Sequence, residues 1–214
     1  MKKILFISIL LVFNYKAIAQ KSTSSQAEAF QKGLLYLKEG KLERAFSFFN
    51  MANSFGENDE IKALAFHKID SLLPIIRKNV LKEWKGNWKL KELNYNPFPG
   101  SFSDYISFDN DRIVFYKKDS VSNKIITRTE FFRFTSYDPS KSNFDVRKVI
   151  FKNEEIWSFT VIKKNRKLRL YPKLIRDSIG RRKVLIDERG MIMDKKLRKK
   201  ELKKEIYTFY LKDN

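Results

Sequence analysis

Apolar positions change their spacing twice along this chain. Residues 4–13 (ILFISILLVF) form one unbroken apolar run near the start. From residue 29 to 55 the apolar side chains recur every three or four positions, at Phe30, Leu34 and Leu37, then at Leu42, Ala45, Phe46, Phe49 and Ala52. Glu39-Gly40-Lys41 interrupts them, and the pattern predicts two helices joined by a tight turn. A third helix is predicted over 58–84. Asn58-Asp59-Glu60 supplies its cap, and Ile61, Leu64, Ala65, Ile69, Leu72 and Leu73 its apolar side. Pro74 predicts a kink or division near Ser71. A lone helical hairpin leaves an apolar face uncovered, and the third helix is the expected cover.

At Lys85-Gly86 the spacing becomes that of strands. Residues 88–93, 105–108, 112–117, 124–134, 146–151, 156–162, 168–174 and 182–187 alternate or are strongly apolar, with a further strand over 207–211. Turn chemistry separates them, for instance Asp109-Asn110-Asp111, Asp138-Pro139, Asn153-Glu154 and Ile179-Gly180. The predicted fold class is α+β: an N-terminal helical hairpin plus a third helix, then an antiparallel up-and-down β-barrel of about eight strands, with a basic helix near the C-terminus. A β-sandwich is the structural alternative. Strand parity alone points Leu90, Ile106, Phe108, Phe115, Phe159 and Leu170 to one interior. In 124–134 both faces mix apolar and charged residues, so parity does not choose.

The first apolar run changes the picture of the compartment. Lys2 and Lys3 precede it, it is half the roughly 20 residues that span a bilayer, and Ala17-Ile18-Ala19 offers a small-x-small cleavage pattern. Residues 1–19 therefore read as a signal peptide, 20–27 as a flexible leader, 28–84 as the helical segment and 85–214 as the β domain. Export to the periplasm or the medium of a Gram-negative bacterium is expected. The sequence has no cysteine, hence no disulfide and no lipid-anchoring residue, and no transmembrane span is expected once the leader is removed.

Charge then narrows the partners. Lys and Arg number 45 against 25 Asp and Glu, and losing Lys2, Lys3 and Lys16 with the leader lowers the net charge from +20 to +17. Outside the cytosol such a chain is drawn to lipid headgroups, lipopolysaccharide, acidic glycans or extracellular DNA; the blander reading is that the charge only keeps it soluble. The densest run, residues 194–205, carries Lys195, Lys196, Arg198, Lys199, Lys200, Lys203 and Lys204. A helix is expected there, with Met193, Leu197 and Leu202 as a thin stripe against the barrel. The lysines would then be solvated, or would serve as a cationic anchor for anionic lipid or glycan.

Catalytic chemistry is sparse. One histidine, His67, and no cysteine exclude Cys-His catalysis, structural zinc sites and multi-histidine metal sites. No glycine-rich phosphate loop or nucleophile elbow occurs. Asp109 with Asp111, and Glu154 with Glu155, pair carboxylates in predicted turns, where solvation explains them. No catalytic residue, metal or cofactor is indicated, and the chain reads as a non-enzymatic binding protein.

Two resemblances add to this. Gly33, Tyr36, Ala45, Phe49 and Ala52 resemble one tetratricopeptide repeat over about 30 residues, with Ala29 and Lys32 departing from the family's large apolar positions. That resemblance implies a protein or peptide partner for the helical segment. Gly86-Asn87-Trp88 resembles the glycine-x-tryptophan opening of the lipocalin-like superfamily, over about 130 residues. By that resemblance Trp88 closes the barrel floor against a basic residue of the last strand, here Lys212 where arginine is usual. It further implies a calyx for a small apolar ligand, lined by Trp88, Leu90, Ile106, Phe108, Phe115, Phe159 and Leu170 and entered beside the loop 94–103. A barrel filled by its own side chains is the other outcome.

Overall fold

A computed structural model describes residues 25–93, 102–121, 123–140, 144–182 and 187–213. The expected signal peptide, and the leader up to residue 24, lie outside the described residues. The chain divides into two compact units, one built from residues up to 78 together with 136–146, the other from 79–135 and 147–214.

In the first unit α1 (25–38) and α2 (Leu42–Ser54) turn back at Gly40, whose φ of +71° suits a residue without a Cβ. Gly33 is required by packing instead: a Cβ there would stand 2.6 Å from Cε1 of Phe49, a fully buried ring. Ala45 and Ala52 are buried beside it. Residues 25–27 of the expected flexible leader are helical, and Gln26 anchors them. Its buried amide donates to the carbonyls of Ala52 at 2.9 Å and Asn58 at 3.2 Å and accepts from the Asn58 N–H at 3.1 Å.

Helix α3 (Asp59–Trp84) starts where the cap was expected, with Asn58 Oδ1 accepting from the Ile61 N–H at 3.0 Å, and runs unbroken through Pro74. Ala65, Ile69, Leu72 and Leu73 are buried as the spacing predicts; Leu64 faces solvent. Residues 136–146 supply further cover. Tyr137 and Phe144 meet edge to face at 5.2 Å, and both pack on Phe46 of α2. The Tyr137 hydroxyl donates to Asn50 Oδ1 at 2.7 Å and accepts from Asn53 Nδ2 at 3.1 Å. Burial raises its pKa despite the Asn53 bond.

Among the described residues the second unit holds an antiparallel sheet of eight strands, each paired with its neighbour in sequence: β1 (Gly86–Glu92), β2 (Tyr105–Phe108), β3 (Arg112–Lys118), β4 (Lys124–Phe134), β5 (Lys148–Phe151), β6 (Ile156–Lys164), β7 (Lys167–Arg176) and β8 (Phe209–Lys212). Strand β8 also pairs with β1, at Trp88 opposite Lys212 and Leu90 opposite Tyr210, so the sheet closes in a ring. The class is α+β with a barrel-like sheet rather than two stacked sheets. The predicted strand over 182–187 lies mostly outside the described residues, at 183–186, with Arg182 and Asp187 not in a strand; the strand that pairs with both β1 and β7 is the one near the C-terminus. Asp177, buried beside β7, shows why the chain turns there. Its carboxylate binds the N–H groups of Ile179 and Arg181 at 3.2 and 2.7 Å and the Arg181 guanidinium at 2.6 Å, which ends the ladder in a tight turn.

Candidate functional site

Six of the seven residues selected as an interior lining, Trp88, Ile106, Phe108, Phe115, Phe159 and Leu170, are buried inside the closed sheet; Leu90 is half-buried. Trp84, in the last turn of α3, enters one end, where it lies 5.5 Å from both Phe108 and Phe159. Its Nε1 donates to the Phe159 carbonyl at 3.1 Å, and its own carbonyl accepts from Trp88 Nε1 at 2.7 Å. Phe159 stacks on Trp157 at 5.7 Å, Trp157 stacks on Phe151 at 5.9 Å, and Phe102 meets Trp157 edge to face at 5.6 Å. Aromatic rings thus succeed one another through the interior, a filling that small barrels permit.

The face of β4 that parity left undecided is resolved by Arg128, Glu130, Phe132 and Phe134, the less exposed alternate residues of that strand. Arg128 lies over the rings of Phe115 and Phe151 at 5.2 and 5.4 Å and bonds Glu155 at 2.5 Å and Glu130 at 2.7 Å. Trp157 Nε1 donates to the same Glu155 oxygen at 2.9 Å. Burial disfavours the guanidinium charge, but the two carboxylates outweigh it and raise the Arg128 pKa. Glu155, expected to be a solvated turn residue, is buried in this cluster. Its chemistry is internally satisfied, with each charge already facing its opposite.

On the outer wall Phe131, Arg133, Ile150, Lys152 and Glu154 border an open depression of about 480 Å³ at the β4–β5 pairing. The segment between β7 and β8 is a different surface. A 3-10 turn (Glu188–Met191) leads into α4 (Lys195–Glu201), which Asp194 caps by accepting from the Leu197 N–H at 2.7 Å. Arg189 binds the two ends together: it pairs with Asp187 at 2.7 Å, and its Nη1 donates to the carbonyls of Glu201 at 2.9 Å and Lys204 at 2.6 Å. Glu205 then fastens the segment to β6 and β7 through Lys164 at 3.2 Å, the Tyr171 hydroxyl at 3.2 Å and Arg169 at 3.7 Å. Burial would raise the Glu205 pKa, but the Tyr207 N–H, Lys164 and Tyr171 together hold it below the usual carboxylate value.

Neither short helix of this excursion buries a side chain. Met193, Leu197 and Leu202 do not pack against the barrel as expected; all three are exposed. Of the seven cations, Lys204 pairs with Glu201 at 2.7 Å; Lys195, Lys196, Arg198, Lys199, Lys200 and Lys203 form no ion pair among the described residues. No helix among the described residues is long and apolar enough to cross a membrane.

What sequence reasoning missed was the fastening of this excursion and the ionic cluster of Arg128, Glu130 and Glu155. Arg189 and Glu205 read as two more charges in a charged stretch, and nothing in their spacing marks them as clamps. No family model matches the chain, and no curated protein or solved structure matches it.

Proposed function

We propose that this chain is an exported, non-enzymatic protein that docks on polyanionic surfaces of the cell envelope through the excursion between β7 and β8. The observation that carries this reading is residues 194–205 of the excursion: seven cations against Asp194, Glu201 and Glu205, one ion pair between these cations and acids among the described residues, and no buried side chain in α4. Like charges held this close repel one another, and an anionic surface relieves that repulsion over a range set by the ionic strength. The clamps at Arg189 and Glu205 keep the segment in one shape, which lowers the ordering cost of binding. The closed aromatic sheet serves in this reading as a rigid mount.

The test is affinity for a soluble polyanion such as heparin as salt is raised. Replacing Lys195, Lys196, Lys199 and Lys200 together by glutamine is expected to weaken binding by at least roughly tenfold at low salt. Equal affinity of both proteins would remove the excursion from the function.

A lipocalin-like carrier of a small apolar ligand is the second reading, favoured by the Gly86-Asn87-Trp88 opening, the β1–β8 closure and the position of Lys212 over the Trp88 ring. A ligand in that interior would lie among aromatic rings such as Phe102 and Trp157, which meet edge to face. Native mass spectrometry of the purified protein decides it, since a retained lipid mass would make carriage the primary role.

A further inference from the structure

We infer that the polyanionic surface is an anionic phospholipid bilayer, with Met191, Met193, Leu197 and Leu202 entering its headgroup layer; this rests on the docking reading of the same excursion. Those side chains are 74%, 92%, 47% and 50% exposed. Single exposed apolar residues are ordinary on protein surfaces. Four within twelve residues are not, in a segment that buries no side chain and is otherwise almost wholly charged.

The combination selects the partner. An acidic glycan or a nucleic acid offers anionic groups to the lysines but no apolar layer to the methionines and leucines. A bilayer interface offers both, with phosphates at the level of the ammonium groups and acyl chains just beneath. Lysine stems are themselves apolar and let the charged head stay at the phosphates while the backbone settles lower. The apolar set is too small and too interrupted to span, so the association is peripheral. The excursion is also held ready for this, because Arg189 ties the 3-10 turn to the end of α4 and Glu205 ties that end to the sheet.

The experiment compares two variants of the whole protein on two probes: heparin, and vesicles of zwitterionic phospholipid with and without about one third anionic phospholipid. In M193S/L197S/L202S every cation is kept. Vesicle binding is expected to fall by roughly tenfold while heparin binding is unchanged. A second variant, Leu197→Trp, reports insertion directly: its emission shifts to the blue on anionic vesicles and is quenched by lipids brominated along the acyl chain. Vesicle binding that survives the serine changes, or a tryptophan that stays in water, overturns insertion and leaves polyanion docking standing. Heparin binding without vesicle binding assigns the excursion to a glycan and overturns the bilayer. Failure on both probes overturns the docking reading itself.

Discussion

The ammonium of Lys212 stands 4.5 Å from the ring centroid of Trp88, and the two residues face each other across the β1–β8 pairing that closes the sheet. The same ammonium donates to the Lys85 carbonyl. Burial lowers its pKa. Gly86 makes the approach possible, for a Cβ there would lie 3.1 Å from Lys212 Nζ, and its φ is +109°. Glycine, tryptophan and lysine therefore form one contact at the point where the ring is sealed.

Gly86→Ala is expected to cost about 1–3 kcal/mol, since it adds a strained φ to a blocked lysine. Gly180→Ala is the control. Its φ is +84°, with nothing within 4 Å of a new Cβ, so it should lose about 1 kcal/mol from conformation alone. Urea midpoints of the two variants check the difference.

Lys212→Met removes the cation from the ring and the donor from the Lys85 carbonyl, for an expected loss of about 1–2 kcal/mol. Lys212→Arg keeps a cation over Trp88 and should retain more than half of that stability in the same unfolding measurement.

Arg128→Ala leaves Glu155 and Glu130 facing each other in the interior without their shared cation. Both ends keep some water, with Arg128 26% and Glu155 12% exposed, so about 2–3 kcal/mol is expected rather than the full cost of a dry pair. Arg128→Met with Glu155→Gln should recover at least half, because the glutamine still accepts from Trp157 and no longer carries charge. Thermal unfolding of both variants tests it.

Tyr137→Phe deletes the hydroxyl that joins Asn50 and Asn53 while keeping the ring on Phe46 and Phe144. A loss of about 1–2 kcal/mol is expected in chemical denaturation.

Glu205 makes acid stability a local property. Its folded pKa is depressed, so the stability it contributes is present above the unfolded carboxylate value and is lost as pH falls through the lower folded value. Urea midpoints followed from pH 7 down to pH 3 should fall less steeply for Glu205→Gln than for the natural chain. Parallel curves would mean that Glu205 does not clamp the excursion.

Much of the fold was legible because its elements write their period into the residues they bury. The bounds of β2 and β4 read from alternation coincide with those in the structure, and the third helix begins at the Asn58 cap. Gly33 and Phe49 stand out from spacing alone, since a small residue opposite a large ring is a local complementarity. The candidate docking surface was legible as charge. Met193, Leu197 and Leu202 were singled out but assigned to the wrong surroundings, because periodicity places a side chain on a face of its own helix and says nothing of whether another surface lies against that face.

By itself the sequence determined the α+β order, the antiparallel direction of the strands, and the inward parity of Ile106, Phe108, Phe115, Phe159 and Leu170. These follow from short-range sterics and from the single requirement that apolar faces leave water. Only the tertiary structure decided two things: that Trp84 and the rings of β5 and β6 meet in the interior, and that Arg128 meets Glu155 across 27 positions of chain. Each is a contact between residues far apart in sequence, and its geometry exists only once the ring has closed. Whether Met193 and Leu197 found a partner was likewise a matter of which surfaces meet after folding, and both stay exposed.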